Sequence, residues 1–460
     1  MAIINFIKNL FTKTEARKIF FIYLLLAFIG GLLLWLPISQ QKMVRMSFLD
    51  TLFISISELS STGLTPVPLH SSLSLFGGIV SILLLEIGGI GIILLMTSLT
   101  VFLGRKIGIK ELNVVAFEQN QFTIKNIFSF IRNAVIAILV LQFFYIIIMS
   151  LYLFIKQPWE ISYWGSLYQS IFLAVSSFAN AGFDLLPNNE SFIIFQKNGL
   201  YFPQILTMLL VFLGGIGFWP LAESVVWIKK TIKKEKYRFS FLAKLLVLIH
   251  FLLWLFSSII FYFLERSNSL STLSISDSMI VTTFMTTAVR SAGFYNTNIN
   301  TWTPATKFFM ALLMFIGAAP NSSGGGIRLT TLLLVIISLY SFGKRRKQAF
   351  LHKKAIKEEA LKKAYVVFTA AIILVFLSSF LILIIENLEM IEVFFEVLSA
   401  FGTVGLSLSV TPQLTSFSKV ILMIVMFIGR IGILTFIQIL DTKKETTNVV
   451  SYSEIDIIVG

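Results

Sequence analysis

Apolar residues dominate eight stretches of the chain, at 18–36, 73–103, 127–155, 200–228, 241–264, 305–341, 364–385 and 417–440. As helices, these are long enough to cross a hydrocarbon core of about 30 Å. Within each successive pair lies a weaker stretch, at 48–60, 164–179, 277–289 and 391–402, in which Ser or Thr interrupts the apolar residues. At about 1.5 Å per residue these are too short to span, and they read as re-entrant helices that enter and return on one side. The pattern predicts an all-α integral membrane protein with eight transmembrane spans and four half-length helices.

Composition supports that class. Of 460 residues, 56% are hydrophobic and 13% charged, too few charges to supply the polar shell of a soluble protein of this size. The net charge of +14 would suit nucleic acid, but the basic residues lie in short connections between apolar runs. Placing the N-terminus, 104–132, 229–244, 343–363 and the C-terminus on one side gathers 27 of the 37 Lys and Arg there, against seven opposite. That asymmetry puts both termini in the cytoplasm and the re-entrant helices on the outside. No cleavable signal peptide is evident, because the first apolar run continues into Trp35-Leu36-Pro37 without a small-residue cleavage pattern. The absence of Cys excludes disulfide scaffolds, zinc ribbons and thiol catalysis.

After each short helix comes a motif with one central glycine: Ser61-Thr62-Gly63, Asn180-Ala181-Gly182, Ser291-Ala292-Gly293 and Thr403-Val404-Gly405. The glycines are 119, 111 and 112 residues apart. A second glycine motif follows in each even-numbered span, starting at Gly88, Gly214, Gly317 and Gly429. Two motifs recurring in step four times indicate an internal repeat with the order span, re-entrant helix, glycine turn, span. The units run 1–109, 110–236, 237–345 and 346–440, followed by a cytoplasmic tail at 441–460.

A chain that turns back at membrane depth needs glycine for conformations closed to residues with a Cβ. Such irregular backbone persists only where protein or a water-filled cavity satisfies its polar groups. Four of these turns around one axis would form rings of carbonyl oxygens able to replace the water shell of a monovalent cation. The partly negative C-terminal ends of the four short helices would favour the same sign. For the second set of motifs, close helix packing is the alternative explanation.

These residues resemble the Trk/Ktr/HKT superfamily of potassium transporters, and most closely its Ktr-type membrane subunit. The resemblance covers nearly the whole chain. It rests on the four turns above, on Arg290 before the third, on Gly324-Gly325-Gly326, on Gly-Arg-Ile-Gly at 429–432 and on an acidic, Ile-rich tail ending in Gly460. The first span begins near residue 18, which leaves no room for the extra N-terminal helix pair of the Trk branch. The resemblance implies four pseudo-symmetric units of helix, pore helix, filter and helix around a central cation pore. K+ would bind at Ser61, Thr62, Gly63, Asn180, Ala181, Gly182, Ser291, Ala292, Gly293, Thr403, Val404 and Gly405, mostly through backbone carbonyls. It also implies a homodimer with the 441–460 tail at its interface, and a separate cytosolic ring of nucleotide-binding subunits docked on the basic loops near 229–238 and 343–363. Membrane topology and contact with anionic lipid would explain those basic runs equally well.

The sixth span is interrupted by Gly317-Ala318-Ala319-Pro320-Asn321-Ser322-Ser323-Gly324-Gly325-Gly326. Proline removes a backbone hydrogen bond and each glycine costs about 1 kcal/mol relative to alanine, so the helix must break there. We expect this segment to be an intramembrane gate; a passive kink is the alternative. Arg430 stands where the first two units carry Gly89 and Gly215. A guanidinium at that depth would either act on the pore as a brake or form an ion pair, for instance with Glu86 or Glu223. Arg290 is expected to anchor the third turn and Arg328 to position the broken segment. Asp184 lies at the outer mouth, where it would concentrate cations or remain a solvated loop residue. His70, His250 and His352 show no ligand spacing.

No cytoplasmic connection exceeds about 25 residues, too short for a nucleotide-binding domain, and no Walker or Rossmann glycine pattern follows a strand. No nucleotide site, nucleic-acid partner or enzymatic cluster is expected in this chain. A secondary transporter of another cation or a small solute remains the competing reading. It would predict inverted repeats with helix N-termini facing the site.

Overall fold

The computed structural model describes residues 15–91 and 127–440, apart from Met43, Asn188, Asn189, Ser291, Lys347 and Lys353. The start of the chain, the end of the expected second span at 92–103, most of the connection that follows it and the 441–460 tail lie outside the described residues.

Four long apolar helices form the periphery: α1 (Glu15–Trp35), α4 (Ile127–Lys156), α8 (Phe241–Glu265) and α12 (Glu358–Ile385). Each is long and apolar enough to cross a membrane. Their outward faces carry Leu25, Phe143, Phe256 and Phe380, all more than half exposed. Such apolar exposure would favour aggregation in water but suits a lipid surround.

Inside this ring stand four short helices, α2 (Phe48–Leu59), α5 (Tyr163–Phe178), α9 (Ile275–Ala288) and α13 (Met390–Gly402). Their starts are written in the sequence. Ser47, Ser162 and Ser274 each accept a hydrogen bond from the backbone N–H three residues on, and Glu389 and Glu392 form a reciprocal capping box. Each helix buries one large anchor, Phe53, Phe172, Phe284 or Phe395, none more than 1% exposed. Each long helix packs along the short helix that follows it.

The helices beyond the glycine turns are α3 (Leu75–Ile90), α6 (Tyr201–Gly215), α10 (Pro304–Phe315) and α14 (Ser416–Ile431). They close the assembly: α3 packs on α5, α6 on α9, α10 on α13, and α14 returns to α2. The seam between chain start and chain end is reinforced by a Lys419–Asp50 ion pair at 2.8 Å, and by Arg17 donating to the Ile439 carbonyl.

One expectation needs correcting. The fourth and eighth apolar runs are not straight spans: α6 meets α7 (Phe218–Ile232) at 103°, and α14 meets α15 (Ile433–Leu440) at 104°. The break falls at the last glycine of each second motif. Gly217 and Gly432 hold φ of +95° and +92°, as Gly91 does at the end of α3, a backbone region that only glycine enters cheaply. The sixth run breaks as expected, with α10 ending at Phe315 and α11 resuming at Leu329–Gly343. A two-residue antiparallel hairpin, Phe350–Leu351 with Lys354–Ala355, precedes α12.

Candidate functional site: a four-glycine ring and the loop beside it

The four turns meet. A Cβ placed on Gly63 would lie 2.3 Å from the Ala181 carbonyl oxygen, and one on Gly182 would lie 2.3 Å from that of Ala292. On Gly293 it would lie 2.2 Å from the Val404 oxygen, and on Gly405 2.2 Å from the Thr62 oxygen. Each glycine therefore abuts the carbonyl just before the next glycine in chain order, and the fourth returns to the first. All four have positive φ, from +64° to +102°, so conformation and space both demand glycine here. Three residues two places earlier, Ser61, Asn180 and Thr403, are also left-handed, with φ of 50–54°. Non-glycine residues adopt that region at a cost of about 1–3 kcal/mol, which clusters at functional sites. Ser291, the fourth member of this set, is outside the described residues.

Local hydrogen bonds hold the turns. The N–H groups of Thr62, Ala181 and Val404 donate to the carbonyls of Ser57, Ser176 and Ser399 at 2.7–2.9 Å. The Ser57 and Ser399 hydroxyls also accept from the N–H of Gly63 and Gly405, at 3.1 and 3.0 Å. The third turn is one residue shorter. Nine residues separate Phe284 from Gly293, against ten in each other unit, so Ala288 stands four residues beyond the anchor, where the others have Ser. Its carbonyl accepts from both Ala292 and Gly293, at 2.7 and 3.1 Å. The recurring Phe-x-x-x-Ser before three of the glycines is the sequence signal for these supports.

The first glycines of the second motifs permit close approach to these turns. A Cβ on Gly88, Gly214 or Gly429 would lie 2.2–2.5 Å from the carbonyl of Leu59, Phe178 or Phe401, each four residues before its ring glycine. Packing and bending thus divide the motif: the first glycine packs and the last turns the chain.

The segment between α10 and α11 lies across the neighbouring units. Ala319 N–H donates to the Gly215 carbonyl at 3.1 Å, and the Asn321 carbonyl accepts from Phe218 N–H at 2.6 Å. Ser323 Oγ donates to the Phe178 carbonyl at 2.9 Å and to that of Gly214 at 3.2 Å. Gly325 N–H donates to Thr403 Oγ1 at 2.7 Å, which ties the segment to the fourth turn. Ala318 and Ala319 are fully buried, and Gly326 has a φ of +73°. Gly317 fits because its Cβ position is taken by the Gly325 carbonyl at 1.9 Å. Ser322 Oγ donates to the Ala319 carbonyl at 2.6 Å.

Arg430 reaches this segment. Its Nη1 donates to the Ser323 carbonyl and its Nη2 to the carbonyls of Gly88 and Gly89. The two carboxylates considered as partners are engaged elsewhere. Glu86 accepts from Gln142 at 3.0 Å, and Glu223 accepts from Trp219 Nε1 and from Ser240 N–H. Arg328 donates to the carbonyls of Gly324 and Ala319, so two guanidiniums grip the segment. Arg290 donates to the His250 carbonyl at 3.1 Å. Asp184 accepts from Leu186 N–H at 3.1 Å beyond the second turn. His70 Nδ1 lies 2.8 Å from the Leu185 carbonyl and His352 stacks on Phe241. No cluster of metal-ligating side chains occurs among the described residues.

The comparisons with known proteins agree with this architecture. The model of the TrkH family, described as cation transport protein, matches residues 9–451. The chain is 35% identical to the Ktr system potassium uptake protein D of Bacillus subtilis over 457 residues, covering 99% of this chain and all of that one. It is 32% identical to the Ktr system potassium uptake protein B of the same organism, covering 93% of each. The crystal structure of the potassium transporter TrkH from Vibrio parahaemolyticus has the same fold, with a TM-score of 0.66 at 17% identity over 92% of this chain and 84% of that one.

Proposed function

The chain belongs to the TrkH family of cation transport proteins, and from that premise we propose that it takes up potassium through the ring formed by Gly63, Gly182, Gly293 and Gly405. The observation that carries this reading is the closed cycle of glycine-to-carbonyl contacts, supported by the names of the Ktr potassium uptake relatives. The carbonyls of Thr62, Ala181, Ala292 and Val404 supply one layer of oxygens, and the preceding Ser61, Asn180, Ser291 and Thr403 supply a second. Together they replace part of the hydration shell of K+. Selection depends on backbone geometry, so the four units can differ in side chains while presenting the same atoms. The pore would comprise four units, 1–109, 110–236, 237–345 and 346–440, with both termini cytoplasmic.

Residues 317–326 act as the gate and Arg430 as its latch. Conduction requires the segment to leave Thr403, Phe178 and Gly214, and the guanidinium bond to the Ser323 carbonyl opposes that movement. The chain pairs as a homodimer, and a separate cytosolic nucleotide-binding ring shifts the gate from the basic connections at 229–238 and 343–363. The Ktr system relatives and the exposed Lys344, Arg345, Arg346 and Lys354 support that arrangement.

Purified protein in proteoliposomes, with and without a Ktr-type nucleotide-binding partner, tests the reading. We expect uptake of a potassium tracer that unlabelled K+ competes away far better than Na+. Uptake equal to that of empty vesicles under both conditions, from protein shown to be folded, overturns it.

A further inference from the structure

Arg290 is 2% exposed, and a guanidinium keeps its charge in any protein environment. One nitrogen, Nη1, is spent on the His250 carbonyl. Among the described residues, Nε and Nη2 have no hydrogen-bond partner, and neither does Nδ1 of His250, which is itself 4% exposed. None of the ion pairs among the described residues includes Arg290. A buried charge without a counter-charge is among the costliest arrangements in a protein. The carbonyl end of α9 offsets part of it but provides no acceptor for these two nitrogens.

The same side chains line a small pocket between α6, α8 and α9, bounded by Val211, Phe212, His250, Trp254, Thr287 and Arg290. The other polar groups there are already used. Trp254 Nε1 donates to Thr287 Oγ1 at 2.9 Å, and that hydroxyl donates to the Thr283 carbonyl at 2.7 Å. What remains is two guanidinium N–H donors, one imidazole nitrogen able to donate in the appropriate tautomer, and apolar walls. A water molecule there could accept from the guanidinium and donate to Nδ1 in the other tautomer or to Thr287 Oγ1, but it would leave the buried charge unopposed. An anion suffers no such deficit. The pocket is small, which favours a monatomic anion over phosphate, a carboxylate or a lipid headgroup.

We propose that this pocket binds a small monovalent inorganic anion of chloride's size and charge, held by Arg290 and His250 three residues from Gly293. The anion neutralises a cation that would otherwise stand unopposed behind one quarter of the ring. It allows the third unit to keep an arginine where the others have Ser60, Ala179 and Gly402.

The test compares full-length purified protein in potassium gluconate, potassium chloride and potassium bromide at one potassium concentration, so that ring occupancy is constant. We expect a saturable rise in Tm of roughly a few degrees in either halide over gluconate, smaller in Arg290→Lys and abolished in Arg290→Gln. Bromide anomalous diffraction from wild-type crystals provides a second readout that does not depend on a variant folding: a peak within bonding distance of Arg290 supports the assignment. A map without that peak, or a halide-dependent Tm that persists in Arg290→Gln, overturns it. Neither measurement reads transport, so failure of the anion site and failure of the potassium reading are separable.

Discussion

The sharpest consequence of the ring is that one methyl group should disable it, and other glycines of the same chain calibrate the effect. In Gly405→Ala the new Cβ must sit 2.2 Å from the Thr62 carbonyl oxygen, at a φ of +94°. The left-handed backbone alone costs about 1–2 kcal/mol. The overlap forces backbone against backbone to shift by about an ångström, bringing the penalty at the site to roughly 2–4 kcal/mol. Gly199 also has a positive φ, +62°, but nothing lies within 4 Å of its Cβ position, and Gly343 has neither constraint. Gly343→Ala should therefore leave stability and flux unchanged, and Gly199→Ala should lower Tm without changing flux. Gly405→Ala should reduce potassium flux about 30- to 900-fold if the penalty falls on the conducting geometry. The assay is tracer uptake into proteoliposomes containing equal amounts of folded protein, with sodium competition measured in parallel. Wild-type potassium flux and selectivity in folded Gly405→Ala would refute the assignment of the ring as the filter.

Three further outcomes follow from the contacts around the ring. Arg430→Gln removes a charge-assisted bond to the Ser323 carbonyl worth about 1.5–3 kcal/mol; it should raise basal uptake about ten- to a hundredfold, whereas a reduced yield of folded protein with unchanged flux per molecule would make Arg430 a strut. Asp50→Asn should lower Tm by breaking the partly buried pair with Lys419 across the first and last units, and the exchange Asp50→Lys with Lys419→Asp should recover part of that loss, which circular dichroism melts can measure. Burial acts to raise Glu386, but hydrogen bonds from Ser418 and Thr415 outweigh it and hold its carboxyl below the usual range; the clasp it gives α14 should be intact at neutral pH and lost as pH falls through that lowered value, and Glu386→Gln should lose this acid sensitivity in melts between pH 3 and 7.

What the sequence revealed, and what it concealed, follows from the kind of information each feature needs. The four half-length helices were legible because length against a bilayer is a one-dimensional property, and the ring glycines because they recur in step. The bends at Gly217 and Gly432 were not, since a Gly-x-Ile-Gly run inside an apolar stretch looks the same whether it admits a neighbour or turns the chain. In this protein it does both. The serines that support the turns were present as a repeated Phe-x-x-x-Ser, hidden because an isolated intramembrane serine is unremarkable. The partners of Arg430 were beyond reach for a different reason: backbone carbonyls leave no trace in residue identity. A guanidinium that pairs with Ser323, Gly88 and Gly89 through their main-chain oxygens is indistinguishable in sequence from one that seeks a carboxylate.

Covalent linkage of the four units explains how so many exceptions coexist with one ring. Were the units identical copies, any change at one position would appear four times. An arginine in place of Gly89 would then meet Ala179, whose Cβ already lies 2.4 Å from the Cβ position of that glycine, and in place of Gly215 it would meet the His250 ring at 2.9 Å. In one chain the substitution occurs once, at position 430, where the side chain reaches the Gly88 and Gly89 carbonyls and the crossing segment. The shortened third turn and Arg290 are tolerated on the same terms. The ring asks each unit for a glycine and the carbonyl before it, and those are backbone features compatible with almost any neighbouring side chain. On the proposed reading, selectivity is fourfold in its atoms and control onefold in its side chains, with the broken helix supplied by the third unit and its proposed latch by the fourth.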